Sequence, residues 1–171
     1  DESVTISTFK ILPQLIDRAD LAQSQYATQM GIATRQGVLL NEAIETAVYA
    51  AHAGFTNFDN ASIGGSAGNI TVSSSNVDDI IRGMKREINE ANGELVANRN
   101  GMFIVWRPAD FELLEAYVQA NGFSTADNAL KAGTDQGFMY MGVEHFSSNL
   151  LASGHLFGGV KKLLHLGILK S

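Results

Sequence analysis

Apolar and small residues recur at alternating intervals of three and four along the segment 20–53, which contains no proline. This stripe consists of Tyr26, Met30, Ala33, Gly37, Leu40, Ile44, Ala47 and Ala51. A period close to 3.5 residues places them along one side of a helix, which would be roughly 51 Å long. Gly31 and Gly37 lie inside it, and each weakens a helix by about 1 kcal/mol relative to alanine. They indicate a bend or a close crossing by another backbone. The pattern fits both an isolated long amphipathic core helix or coiled coil and a spine that crosses the subunit and is covered by its neighbours.

A second helical pattern follows Asn76, which is the expected N-cap. Asp79 occupies the capping-box position three residues later, although its side chain is shorter than the usual glutamate. One face of this helix is apolar and is formed by Val77, Ile80, Ile81, Met84, Ile88, Ala91 and Leu95. The other face is charged and carries Arg82, Lys85, Arg86, Glu87 and Glu90. The pattern predicts an amphipathic helix that packs on a core.

The segment 98–151 alternates between strand and helix signals. Residues 102–106 form an apolar run that contains β-branched and aromatic residues, as a buried strand requires. Pro108 suits the first position of a helix because its missing N–H has no partner inside the helix there. Helical spacing continues through Phe111, Leu114, Tyr117 and Val118. Gly122 is expected to end this helix in a left-handed cap.

Four further segments have strand patterns. Residues 138–146 are predicted as a second strand after the helix, and residues 3–12 as a strand near the start of the chain. The segment 54–75 is rich in Gly, Ser, Asn and Thr, which predicts a loop with a short strand at 70–72. Alternating apolar residues at 164–168 predict a half-buried strand. Helix, strand, helix and strand in this order predict an α+β fold.

Composition and charge exclude several classes of protein. The chain has 171 residues, is 45% hydrophobic and has no cysteine, which excludes disulfides and thiolate chemistry. A net charge of −6 argues against a dedicated nucleic-acid binder, because phosphate contacts need clustered Lys and Arg. No apolar run approaches the length of a membrane span, and no signal peptide is visible. Because the chain begins at Asp1 and stops inside an apolar run, we expect both ends to be cut.

Candidate chemistry is sparse. The loop Gly64–Asn69 is the nearest approach to a phosphate loop, but it lacks the lysine and the directly following helix of such motifs. The four histidines fit no zinc spacing. Glu144 and His145 are adjacent, but neighbours on a strand point to opposite faces. Trp106 is predicted to be a core residue. We therefore predict no enzyme, no catalytic residue, no cofactor and no metal site.

Three segments resemble, in order, parts of the major capsid protein of tailed bacteriophages, whose shell fold also occurs in encapsulins. Residues 15–50 are similar to the long spine helix of that family with the aspartate before it. Residues 76–117 are similar to the axial-domain helix, the apolar strand and the proline-initiated helix. Residues 137–151 are similar to the return strand, with its glycine, apolar residues, serine, asparagine and leucine. The N-terminal arm and extended loop usual in the family are not visible here.

The resemblance implies a fold, an arrangement of domains and a function. Residues 1–54 would form a peripheral-domain strand and the spine helix, 55–143 an axial domain with a mixed sheet flanked by helices, and 144–171 the return strands. The chain would be a shell subunit that assembles with itself into hexamers and pentamers of an icosahedral capsid around the viral genome. Scaffolding, portal or decoration proteins are further partners, without a specific nucleic-acid site or a membrane. The location would be the virion, with assembly in the host cytoplasm.

Three alternatives remain at this point. An encapsulin-like compartment would have the same shell but an enzyme cargo. A small phosphate-ligand enzyme would use the Gly64–Asn69 loop together with Glu144 and His145. A helical adaptor would use the stripe of residues 20–53 to form dimers.

Overall fold

The computed structural model of this chain describes residues 26–54, 58–91, 93, 100–121 and 138–162. Contacts divide the chain into two compact units, residues 1–53 with 166–171 and residues 54–165. Within the described residues there are three α-helices and a four-stranded mixed sheet, as expected of the α+β class. The predicted strands at 3–12 and 164–168 lie outside the described residues, as does Gly122.

The described part of the first unit is the helix α1, Tyr26–Ala50, and the start of a 3-10 turn, Ala51–Gly54, whose last residue belongs to the second unit. The predicted long helix is thus confirmed from residue 26 onward, while residues 20–25 lie outside the described part. The helix runs through Gly31 and Gly37, and apart from its own nearby backbone no heavy atom of the described residues lies within 4 Å of a Cβ built on either glycine. Three of its apolar residues are exposed: Val38, Leu39 and Leu40 are 53%, 41% and 45% exposed.

The second unit contains two helices and the sheet. Its elements are a 3-10 turn at Asn60–Ile63, α2 at Val77–Glu90, β1 at Met102–Trp106, α3 at Pro108–Ala120, β2 at Phe138–Tyr140, β3 at Val143–Ser147 and β4 at Phe157–Val160. The strand order is β2-β3-β1-β4. Strand β1 runs parallel to β3 and antiparallel to β4, and β2 runs antiparallel to β3. The sheet therefore continues across residues 143 and 144, between which the axial domain was predicted to end.

The strand register defines a core face of the sheet. Tyr140, Val143, Met102 and Val160 are neighbours across the four strands, and all four belong to the buried core. The helices supply the other side of this core through Val77, Ile80, Ile81 and Met84 of α2 and Leu114 and Val118 of α3. The predicted apolar face of α2 is thus confirmed from Val77 to Met84. The apolar residues of α3 also face the core, as their spacing predicts.

The opposite side of the sheet carries a different set of side chains, which we call the aromatic sheet face. Met139, Glu144, Phe103 and Gly159 form one row across the four strands. Phe146, Val105 and Phe157 form the next row, and Lys161, just after β4, pairs with Glu144. These seven residues and Lys161, eight in all, make up the aromatic sheet face.

Local geometry explains where α2 and α3 begin. Asn76 precedes α2 as predicted, but its side chain makes no cap hydrogen bond to the helix. Instead its Oδ1 accepts from Ser73 N at 2.8 Å and its Nδ2 donates to Thr71 O at 2.8 Å, which closes the preceding turn. The capping box expected of Asp79 is also wrong, because Asp79 pairs with Arg82 at 2.6 Å. Pro108 is the first residue of α3, as predicted.

Two predicted strands differ from the structure. Residues 138–146 form a hairpin rather than one strand, because Met141 and Gly142 turn the chain with φ values of 53° and 77°. Positive φ at both positions is the geometry of a tight type I′ turn. Lys85 of α2 donates to the Met141 carbonyl at 3.0 Å and fastens this turn to the helix. The strand predicted at 70–72 is wrong, since this segment is irregular and its apolar side chains pack singly against the core.

Gly158 allows β4 to approach the core closely. A Cβ built on Gly158 would lie 2.5 Å from Met84 Cε, 3.3 Å from Ile104 Cγ1 and 3.3 Å from Phe103 O. On the other side of the strand, a Cβ on Gly159 would meet Phe103 no closer than 3.7 Å, an ordinary contact. The two neighbouring glycines therefore differ in how much room the neighbouring atoms leave for a side chain.

Gly158→Ala should lower the free energy of unfolding by about 1 kcal/mol, because the added methyl displaces the flexible end of Met84 and still lies close to Ile104 and to the Phe103 carbonyl oxygen. Gly159→Ala is the matched control and should be neutral or raise stability slightly, since alanine restricts the unfolded chain more than glycine does. Urea unfolding followed by circular dichroism measures both variants. Equal effects of the two substitutions would contradict the close approach at Gly158.

Candidate functional site

The loop Gly64–Asn69 is exposed, but the two amides at its start are hydrogen-bonded within the chain. The Gly64 amide donates to Ala61 O at 3.0 Å and the Gly65 amide donates to Asn60 O at 2.8 Å. A phosphate loop needs such amides free to point at the ligand. The carboxylate of Asp59, which accepts from Ala61 N and Ser62 N, adds negative charge at the start of the same turn. This loop is therefore a poor phosphate cradle.

Glu144 and His145 lie on opposite faces of β3, as their adjacency on a strand predicts. The Glu144 side chain is 27% exposed on the aromatic sheet face and forms an ion pair with Lys161. His145 is fully buried on the core face. The two side chains are thus separated by the sheet and do not form an acid–base pair.

The imidazole of His145 is held by two hydrogen-bond partners. Trp106 Nε1 donates to His145 Nδ1 at 2.9 Å, and His145 Nε2 lies 3.3 Å from the carbonyl oxygen of Tyr140. Because the indole can only donate, Nδ1 must be unprotonated, and Nε2 then carries the hydrogen and donates to Tyr140 O. Burial lowers the pKa of His145 to about 4, so the ring is neutral at physiological pH.

Tyr140 lies next to this histidine in the core, with its ring centroid 6.2 Å from that of His145. Burial first, and then the neighbouring Asp78 and Tyr117, raise the pKa of Tyr140 to about 12. The phenol therefore stays protonated. The cluster formed by Trp106, Tyr140 and His145 is neutral and closed to solvent, which suits a structural role and not proton transfer. The prediction that Trp106 is a core residue is confirmed.

The other histidines do not gather into a site in the described structure. His155 is exposed, with Nδ1 3.1 Å from Ser153 O. The side chains of His52 and His165 lie outside the described residues. Across the described ranges, no three His, Asp or Glu side chains come together as metal ligands would. Nor does any described helix have both the length and the hydropathy that crossing a membrane requires.

The aromatic sheet face is the feature that the sequence pattern did not single out. Its signal is present in β1, where Phe103 and Val105 make the strand apolar on both sides. Strands with two apolar sides are typical of sheets that are covered on both faces. In the structure the hydrophobic core covers one side of the sheet, whereas on the other side Met139 is 56% exposed.

Several charged side chains of the described surface, including both arginines of α2, form pairs of opposite sign. These pairs are Arg82 with Asp78 and Asp79, Arg86 with Glu87 and Glu90, and Lys161 with Glu144. Such exposed pairs contribute little stability, about 0–1 kcal/mol each. Because both arginines of α2 are paired with carboxylates, they do not form a basic groove.

Comparison of the chain with protein-family models, curated proteins and solved structures finds no match.

Proposed function

We propose that this chain is a structural shell subunit, a major capsid protein of the kind found in tailed bacteriophages. It assembles with itself into hexamers and pentamers of an icosahedral capsid that encloses the viral genome. In this proposal α1 is the spine helix, and the unit with the four-stranded sheet is the axial domain of the capsid fold. Assembly takes place in the host cytoplasm, with scaffolding, portal and decoration proteins as further partners, and the product is the virion.

The observation that carries this proposal is the exposure of α1. A helix of 25 residues is about 37 Å long, and its three consecutive residues Val38, Leu39 and Leu40 are each at least 41% exposed. Successive residues of a helix point about 100° apart, so these three large apolar side chains are exposed around much of the helix circumference, as contact with more than one neighbour would require. A shell supports such a helix from several neighbouring copies, because symmetric assemblies repeat the same contacts around each subunit.

Two further observations are compatible with a shell role. The paired charges of α2 and the net charge of −6 give no basic groove on the described surface, as suits a wall that encloses nucleic acid without a specific site. The neutral, closed cluster around His145 suits a rigid body. The enzyme alternative is less favoured, because Gly64 and Gly65 already use their amides within the loop.

Electron microscopy of the full-length gene product tests the proposal. We expect closed shells or ring-shaped capsomers, and a strictly monomeric full-length protein would exclude the shell function. Neighbouring genes separate the two kinds of shell. Genes for a terminase, a portal and a protease indicate a capsid, whereas a gene for a cargo enzyme indicates an encapsulin-like compartment.

A further inference from the structure

The aromatic sheet face has a composition unlike that of a solvated sheet. Where one face of a sheet meets water, polar and apolar residues normally alternate along each strand. Here three phenylalanines (Phe103, Phe146 and Phe157) share the face with the exposed Met139 and with Val105, which is itself buried beneath its neighbours. The phenylalanines are only half-buried, and the rings of Phe103 and Phe157 lie 5.7 Å apart. An apolar surface of this kind is stabilised when a partner removes it from water.

The charges on this face restrict what the partner can be. Glu144 and Lys161 are its only charged positions, and they have opposite signs. Their side chains are 27% and 37% exposed, and Lys161 Nζ also lies 5.9 Å from the centre of the Phe146 ring. A nucleic acid would need a surplus of positive charge, and a strongly charged peptide would need a surplus of the opposite sign. The face is neutral overall, so it fits an apolar partner with one charge of each sign.

A second copy of the chain presents such a surface. Under a twofold axis, Glu144 of one copy can meet Lys161 of the other copy, and the reverse contact follows by symmetry. The phenylalanine rows of the two copies then cover each other. The surface is therefore complementary to itself in both charge and hydropathy.

We propose that the aromatic sheet face binds the same face of a second copy, with Glu144 and Lys161 exchanging partners across a twofold axis. This inference deepens the proposed shell function and rests on it for the choice of partner. With strands about 4.8 Å apart and a rise of about 3.3 Å per residue, the face covers on the order of 300 Å². A stable dimer buries roughly 800 Å² per partner. The contact is thus weak by itself and adds to others in an assembly.

Oppositely charged variants provide the test. Glu144→Lys makes the face wholly positive, and Lys161→Glu makes it wholly negative, so each variant should repel its own copies. Sedimentation velocity over a series of protein concentrations should show self-association of the wild type and an apparent Kd at least about tenfold weaker in each variant. An equal mixture of the two variants should recover the wild-type association, because positive faces then meet negative ones.

The mixture separates contact between copies from damage within one copy. Both variants lose the internal Glu144–Lys161 pair, and mixing cannot restore that pair inside a chain. Glu112→Lys makes the same charge change on the exposed side of α3 and should leave association unchanged. A wild type that does not associate through a concentration-dependent contact, or a mixture that stays as weak as its components, would overturn the inference.

The outcomes also distinguish this inference from the shell function. If the full-length wild type and Glu144→Lys form shells equally well, the face is not a contact surface but the shell function stands. If mixing restores association but electron microscopy shows no shells or capsomers, the face is confirmed as a contact and the shell function fails.

Discussion

Replacing Trp106 with alanine should lower the free energy of unfolding by about 3–5 kcal/mol, the usual cost of truncating a buried large aromatic residue. Trp106 is fully buried at the end of β1, and it belongs to the core that both helices and the sheet share. The substitution removes its packing and also the N–H that His145 Nδ1 accepts at 2.9 Å. Small domains are stable by only about 5–15 kcal/mol, so the second unit would be close to unfolding.

Urea unfolding followed by circular dichroism is the appropriate measurement, because Trp106 is the only tryptophan and its fluorescence is lost with it. Phe146→Ala is a suitable control, since this ring is half-buried on the aromatic sheet face and should cost less than Trp106. Trp106→Phe keeps most of the volume and should cost about 1–3 kcal/mol, mainly because a buried acceptor is left without its donor. A loss below about 1 kcal/mol for Trp106→Ala would contradict the packing described.

Lowering the pH from 7 to 4 should destabilise the second unit through His145. The pKa of His145 is about 4 in the folded chain and 6.5 for an ordinary histidine, so the unfolded chain binds the proton more readily. The stabilisation is fully present above about pH 6.5 and is lost as the pH falls towards 4. The full loss corresponds to roughly 3 kcal/mol, of which about 2 kcal/mol falls between pH 7 and pH 5.

The range from pH 7 to pH 5 gives the clearest reading, because most carboxylates remain ionised there. His145→Gln should be less stable than the wild type at pH 7 but should lose most of the dependence on pH in this range. His155→Gln changes an exposed histidine and should keep the wild-type dependence. If His145→Gln and the wild type have parallel stability profiles, then His145 takes up a proton in the folded chain as easily as in the unfolded chain, and the closed cluster is wrong.

The sequence predicted those elements in which local chemistry and packing agree. Pro108 begins α3 where its missing N–H is harmless, and the apolar face of α2 follows its own periodicity into the core. The strand β1 was recognised because it is apolar throughout. In each case the nearest neighbours along the chain carry the relevant information.

The missed features depend on residues far apart in sequence. Strand β4 begins with a phenylalanine followed by two glycines, a poor strand pattern, yet at Gly158 it passes close to Met84 and Ile104. The hairpin was read as one strand because Met141 is an unusual residue for a turn with positive φ. The hydrogen bond from Trp106 to His145 joins β1 to β3, and no local spacing reveals it. The aromatic sheet face likewise appears only once the strand register is known.

The central strand β1 is synthesised before both of the strands that flank it in the sheet. Met102 pairs with Val143 and Val160, so β1 emerges well before either of its partner strands. At about 5–20 residues per second, β1 waits roughly 3–12 s for the strand that completes the sheet. For roughly the first 2–8 s of that interval, until β3 has been synthesised, this short apolar segment of high β propensity is unpaired, which favours aggregation. Arg107 and Pro108 follow it directly, a charge and a chain breaker that oppose the addition of foreign strands until β3 and β4 arrive.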